Sequence, residues 1–161
     1  MSDAPSTRID IEFADGAYSF RLGLAQIAEL QAKCGCGIGA LYARVIKGRY
    51  IIDGEPLGNP MEAQFFAADL IETVRQGLIG GRAGVVDDQT VEVKPADANR
   101  LVSAYLYPER PLTEAWALAA SILAAAIDGY SPPDKKKEAP ATAKPAVKAA
   151  STMRKRSPTA R

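Results

Sequence analysis

Histidine is absent from all 161 residues, and with it go the commonest general base and the commonest metal ligand. Serine and cysteine triads in their usual form are excluded. Cysteine is nearly absent: only Cys34 and Cys36 occur. A closed zinc site needs four ligands, so Cys34-Gly35-Cys36 reads as a pair of structural thiols, reduced in a cytosolic setting and forming no assumed disulfide. Long apolar runs are missing too. The longest, around Ala115 to Ile127, falls short of the roughly 18 residues that span a bilayer, so no transmembrane helix is expected. Met1 to Arg8 has no basic region leading into an apolar one, which argues against a secretory signal. Aromatic residues stop at Tyr130, so nothing beyond it can stack on nucleic-acid bases.

Negative charge is scarce in the last 31 residues. Ser131 to Arg161 carries six Lys and three Arg against Asp134 and Glu138, a net +7. The whole chain is +1, so Met1 to Tyr130 is −6. The near-neutral total hides an acidic body and a basic appendage, a division that steers encounters with other macromolecules rather than building a fold. The appendage is rich in Lys, Ala and Pro. It cannot bury enough apolar surface to offset lost chain entropy, which predicts a disordered tail over 131–161. Its Lys135-Lys136-Lys137 and Arg154-Lys155-Arg156 clusters could hold nucleic acid only non-specifically, by counterion release, and a solubilising or partner-steering role is preferred. Residues 1–8 are polar and read as a flexible N-terminus, leaving 9–130 as one domain.

Within that domain the patterning changes period several times. Ile9, Ile11 and Phe13 alternate with Asp10 and Glu12, Ala14-Asp15-Gly16 supplies a turn, and Tyr18, Phe20 and Leu22 alternate again, which predicts a β-hairpin. Leu24, Ile27, Ala28, Leu30 and Cys34 predict a helix to Gly35; Ile38, Leu41, Tyr42 and Val45 predict a second, closed by Gly48. Arg49 to Pro60 holds Asp53-Gly54, Pro56, Gly58 and Pro60 and reads as a loop. A third helix is expected over Met61 to Leu78, with Phe66, Leu70, Thr73 and Val74 on its apolar face, Asp69, Glu72, Arg75 and Gln76 on the other, and Gly77, Gly80 and Gly81 as its stop. Val85 to Lys94 reads as loop with a short strand. Pro95 opens a fourth helix through Ala98, Leu101, Val102 and Tyr105. Pro111 opens a fifth, whose Trp116, Leu118, Ala119, Ile122, Leu123, Ala126 and Ile127 leave Ser121 as the only polar residue between Trp116 and Ile127. Such a helix is either central to a core or buried against a partner. The expected class is α+β and mostly α: an N-terminal hairpin, about five helices, and the tail.

Three motifs invite chemistry and do not carry it. Gly35-Cys36-Gly37-Ile38-Gly39-Ala40 fits a dinucleotide fingerprint by letter, but the mechanism needs a preceding strand and here a helix precedes it, so it reads as a helix-to-helix turn. Gly77-Leu78-Ile79-Gly80-Gly81 lacks the Lys-Ser/Thr of a phosphate loop. The carboxylate pairs Asp87-Asp88 and Asp69 with Glu72 read as solvated surface. No catalytic residue, cofactor or metal is expected, and the chain is not read as an enzyme.

Taken in order, Phe13-Ala-Asp-Gly-Ala-Tyr-Ser-Phe-Arg-Leu22, Ile27-Ala-Glu-Leu30, Gly37-Ile38, Leu41 and Arg44 resemble the N-terminal half of the tail-assembly proteins of gene transfer agents and related tailed phages. Gly77 to Gly81, Arg110-Pro-Leu-Thr-Glu-Ala115, Ile122-Leu123 and Ile127 to Gly129 resemble the second half. The family is described as tail assembly chaperones and, in places, as tail tube components. The resemblance implies a binding protein with no active site, acting in the bacterial host cytoplasm and missing from the mature particle. Its implied client is the tape-measure protein, with the tail tube protein and a second copy of the chain as further candidate partners. The residues expected at a partner surface are Trp116, Leu118, Ile122, Leu123 and Ile127. A structural tube subunit is the first alternative, and a protein acting on nucleic acid through its basic tail the second.

Overall fold

Ala14 and Asp15 reverse the chain between two strands, β1 (Arg8–Phe13) and β2 (Gly16–Arg21), paired antiparallel with Ile11 opposite Tyr18 and Ile9 opposite Phe20. Ala14 takes the left-handed conformation at φ 59° that this turn requires. The computed structural model describes residues 4–132, so the predicted tail, from residue 133 onward, and residues 1–3 lie outside it. The N-terminal stretch is tied at Ser6, whose N–H and C=O bond the C=O and N–H of Tyr130. Beyond β2 the sheet continues through β5 (Ala83–Val86) and β6 (Gln89–Glu92), in the order β1-β2-β5-β6. β5 pairs antiparallel with both β2 and β6.

The helices are α1 (Leu24–Cys34), α2 (Ile38–Ile46), α3 (Ala67–Gly81), α4 (Pro95–Tyr105) and α5 (Leu112–Ile127). A hairpin followed by five helices is the architecture the periodicity predicts. Two further hairpins were read from the sequence as loop, or loop with a short strand. One is β5–β6. The other, β3 (Arg49–Ile52) with β4 (Glu55–Gly58), forms a separate two-stranded sheet where Arg49 to Pro60 was expected to be a loop.

The core is built around α3, which touches β2, α1, α4 and α5. Its apolar residues Leu70, Val74 and Leu78 are fully buried, and they meet Phe20 of β2 and Leu123 of α5 in one cluster. Packing on several sides corrects three expectations. The helix begins at Ala67 rather than Met61, because Pro60–Glu62 forms a separate 3-10 turn capped by the Asn59 side chain and Phe66 only caps α3. Its supposed solvent face is inside: Asp69 is 1% and Glu72 6% exposed. Its glycines do more than stop it: α3 runs through Gly77 and ends at Gly81 rather than Leu78, and they are contact surface as well. A Cβ on Gly80 would lie 1.9 Å from the Arg21 carbonyl oxygen, and one on Gly81 1.8 Å from that of Ser19, so only glycine lets this helix lie against the backbone of β2.

α5 is central to the core. Trp116, Ile122 and Leu123 are fully buried, and the Trp116 indole N–H donates to the Val45 carbonyl of α2. Phe65 stacks tilted on the indole at 5.0 Å, and the Arg49 guanidinium lies over it at 5.2 Å. Gly58 of β4 rests on the same ring, where a Cβ would approach Cζ3 to 2.7 Å. Trp116 thus anchors the base of the β3–β4 hairpin to the body. No helix among the described residues is long and apolar enough to cross a membrane.

Candidate functional site: an acid-rimmed groove

Phe13 closes β1 with its ring half-buried, edge-on to Tyr18 at 6.2 Å, Phe20 at 6.0 Å and Tyr105 at 6.3 Å. These contacts fix an aromatic wall where the β1–β2 turn approaches the end of α4. Leu106 and Leu118, both largely buried in the core, form the base of the floor. The groove they define is open to solvent, about 830 Å³ in volume, and bounded by the β1–β2 and β5–β6 turns and by α5. Gly16 lets β5 come close beside β2 at this wall of the groove, since a Cβ there would lie 2.3 Å from the Val85 carbonyl oxygen.

The rim is acidic. Glu12, Asp87, Asp88 and Glu114 line it with a single cation, Arg110. Arg110 bonds Glu114 at 3.5 Å, with both side chains half-exposed, and lies over the Tyr105 ring at 5.8 Å. Among the described residues Glu12, Asp87 and Asp88 have no ion-pair partner. Asp87 and Asp88 form the two-residue β5–β6 turn with φ of 49° and 61°, a conformation that aspartate tolerates and β-branched residues do not. The pair read as solvated surface therefore sits at the lip of the groove. Among the described residues, the side-chain hydroxyls lining the groove are those of Ser121, which donates to the Ala117 carbonyl, and Tyr105. This set offers apolar burial and charge, with no nucleophile paired to a base.

Of the five α5 residues expected at a partner surface, Leu118 lines this groove. Trp116, Ile122 and Leu123 are spent on the chain's own core, and Ile127 is 42% exposed near the C-terminal end of the helix, away from the groove lining. Of the groove residues outside α5, Asp87 and Asp88 read from the sequence as a solvated carboxylate pair, and Phe13 and Leu106 carry no site expectation. The signal available for them was the alternation ending at Phe13; that β5–β6 would bring two aspartates opposite it is a tertiary fact.

The other chemistry-bearing motif resolves into structure. Cys34 ends α1, Gly35 follows in the left-handed conformation at φ 68°, and Gly37 caps α2, so the fingerprint-like run is a helix-to-helix turn. The Cys34 thiol is pushed up to about 12, by burial first and by the adjacent Asp69 carboxylate second. A thiol raised in this way carries little thiolate near neutral pH. Among the described residues no three His, Cys, Asp or Glu side chains are grouped to hold a metal ion.

Against known proteins, the family model described as phage tail tube protein, GTA-gp10, matches residues 6–54. The match runs from the Ser6 bridge through both strands of the first hairpin, α1, α2, β3 and the turn that follows it. It supports a gene transfer agent or phage tail family for the chain. The second-half motifs, from Gly77 to Gly129, lie outside the matched segment. No curated protein and no solved structure matches the chain.

Proposed function

We propose, from a phage-tail family as premise, that this chain is a tail assembly chaperone that engages the tape-measure protein while a long flexible tail is built, and that the groove is where it holds that client. The observation that carries this reading is the combination of an apolar floor, Phe13, Leu106 and Leu118, with an acid rim of which Glu12, Asp87 and Asp88 have no ion-pair partner among the described residues. Such a groove fits an amphipathic helix whose apolar stripe is flanked by Lys or Arg. The long helical client that the family implies is a source of such segments, which aggregate unless covered. Rim charges speed the encounter and weaken with salt, while the floor supplies salt-insensitive affinity. The chain would act in the host cytoplasm and leave before the particle is complete.

The test is binding of the full chain to fragments of the tape-measure protein, measured by calorimetry at low and high salt. Neutralising the rim with Glu12→Gln, Asp87→Asn and Asp88→Asn, the last two keeping residues that accept positive φ, is expected to weaken binding about tenfold, or 1.4 kcal/mol, at low salt. At high salt the difference should shrink. Unchanged affinity at low salt, or no binding to any fragment, overturns the proposal.

A second reading, a structural tube subunit, is favoured by the description of the matched family. Against it stands the sheet, whose four strands are short for closing a ring. The abundance of the chain in finished particles separates the two.

A further inference from the structure

The β3–β4 hairpin leaves the body at Trp116 and carries apolar side chains on both faces. Tyr50, Ile52 and Leu57 lie on one face and Ile51 on the other, with Ile51 78% exposed. A free two-stranded hairpin is marginal in water, and an exposed apolar edge strand is a template for pairing. Its two edges are unequal. The Asn59 N–H donates to the Gly48 carbonyl, and Ile52 pairs with Glu55 across a two-residue turn, so the even-numbered residues of β3 face β4. The backbone groups of Arg49 and Ile51 therefore point outward. On the other edge the outward position opposite Ile51 is Pro56, which has no N–H to offer. β4 is blunted and β3 is open. Among the described residues no strand other than β4 pairs with β3.

We propose that β3 is a self-association edge, pairing antiparallel with β3 of a second copy about a two-fold axis to give a four-stranded sheet β4-β3-β3-β4. A register centred on Tyr50 places Arg49 opposite Ile51 of the second copy, so the outward groups of each satisfy those of the other. The two Tyr50 rings then become direct cross-strand neighbours, flanked by Ile52 and Leu57 of both copies. Charge fits the same arrangement. Lys47 precedes β3 and Asp53 follows it, so antiparallel pairing brings each Lys47 to the Asp53 of the other copy. Glu62, whose carboxyl is lowered first by the hydrogen bond from the Tyr50 hydroxyl, then by that from Asn59 and by the charge of Lys47, neighbours the same end. A parallel arrangement would set like charge against like. The occupied edge is remote in sequence from the groove residues and does not depend on what the groove holds.

Sedimentation velocity of the full chain over a wide concentration range tests this. The native chain is expected to form a dimer and no larger species. Ile51→Pro removes one outward N–H without removing a β3–β4 bond and should give a monomer with an unchanged thermal midpoint. Pro56→Ala restores the donor on the second edge and should drive assembly past the dimer. Lys47→Asp and Asp53→Lys should each dissociate the dimer alone and recover it when mixed. A native chain that stays monomeric at millimolar concentration, a dimer that survives Ile51→Pro, or variants that do not recover on mixing would each overturn the proposal.

Discussion

Arg44 of α2 and Asp69 of α3, 25 positions apart, meet at 2.8 Å with the carboxylate almost fully buried. The same carboxylate accepts the Phe66 N–H at 2.8 Å, capping α3, while the guanidinium also donates to the Cys34 carbonyl at the end of α1 and lies over the Phe66 ring at 5.0 Å. One ion pair thus joins the ends of three helices.

Removing the cation should leave Asp69 buried with one donor fewer. Breaking a buried pair from one side costs about 3–5 kcal/mol. Arg44 is 24% exposed and its buried Nε has no partner, so the lower part of that range is expected. Arg44→Met should destabilise by about 2–4 kcal/mol in urea unfolding, and Asp69→Asn, which can still accept from Phe66, by less. Equal losses would mean that the ion pair, which both substitutions remove, carries the whole effect.

Glu72 sets an acid limit on stability. Burial alone would raise its carboxyl, but hydrogen bonds from Gln76 and Lys33 and the charge of Arg75 outweigh burial and lower it. A folded-state value below the unfolded one contributes stability fully present above about pH 4.3 and lost as pH falls through the lowered value. The stability difference between the native chain and Glu72→Gln should therefore be largest near neutral pH and shrink in acid. A difference constant with pH would show that the group is unperturbed by folding.

The glycines separate close packing from mere flexibility. Gly80→Ala or Gly81→Ala must displace α3 from β2, an overpacking expected to cost about 3 kcal/mol or more and to lower the yield of folded protein. Gly39, inside α2 with nothing within 4 Å of a built Cβ, is the control. Gly39→Ala should stabilise by about 0.5–1 kcal/mol, the helix propensity difference. Thermal unfolding of the variants checks both signs.

Local chemistry made the first hairpin and the helices legible, because the alternation from Ile9 to Leu22 and the spacing of Ile38, Leu41 and Val45 are each sufficient within one element. The β3–β4 hairpin was hidden by residues that usually break strands. Pro56 is tolerated because its missing N–H faces outward, and Gly58 is required by the Trp116 ring beneath it. The β5–β6 turn was hidden for the opposite reason: Asp87 and Asp88 both adopt positive φ with no glycine to advertise it. Asp69, Glu72 and Gln76 looked solvated because Arg44, the partner of Asp69, and Lys33, one partner of Glu72 beside Arg75 and Gln76 of its own helix, come from other helices. The groove escaped the sequence likewise, since its floor joins β1, the end of α4, and α5.

Thiol chemistry should discriminate Cys34 from Cys36. The thiolate is the reacting species, and the Cys34 thiol is held up at about 12. At pH 8 the Cys36→Ser protein, keeping only Cys34, should be modified at least tenfold more slowly by a disulfide reagent than Cys34→Ser. Faster modification of Cys34 would mean that the turn between α1 and α2 opens readily.

Particle stoichiometry decides between the two tail readings. A tube subunit is part of every ring and must be recovered from purified particles in many copies. A chaperone occupies its client only until tube subunits replace it, so it should be abundant in the producing-cell lysate and strongly depleted from particles. On the proposed reading, a client held in the acid-rimmed groove with salt-sensitive affinity would be displaced by a larger and drier interface. Quantitative mass spectrometry of both fractions, normalised to the tape-measure protein, is expected to give a particle ratio far below one copy per tape-measure chain. A ratio of many copies would remove the chaperone reading and establish the tube subunit; in that case the rim substitutions at Glu12, Asp87 and Asp88 should alter tail length or yield rather than client solubility.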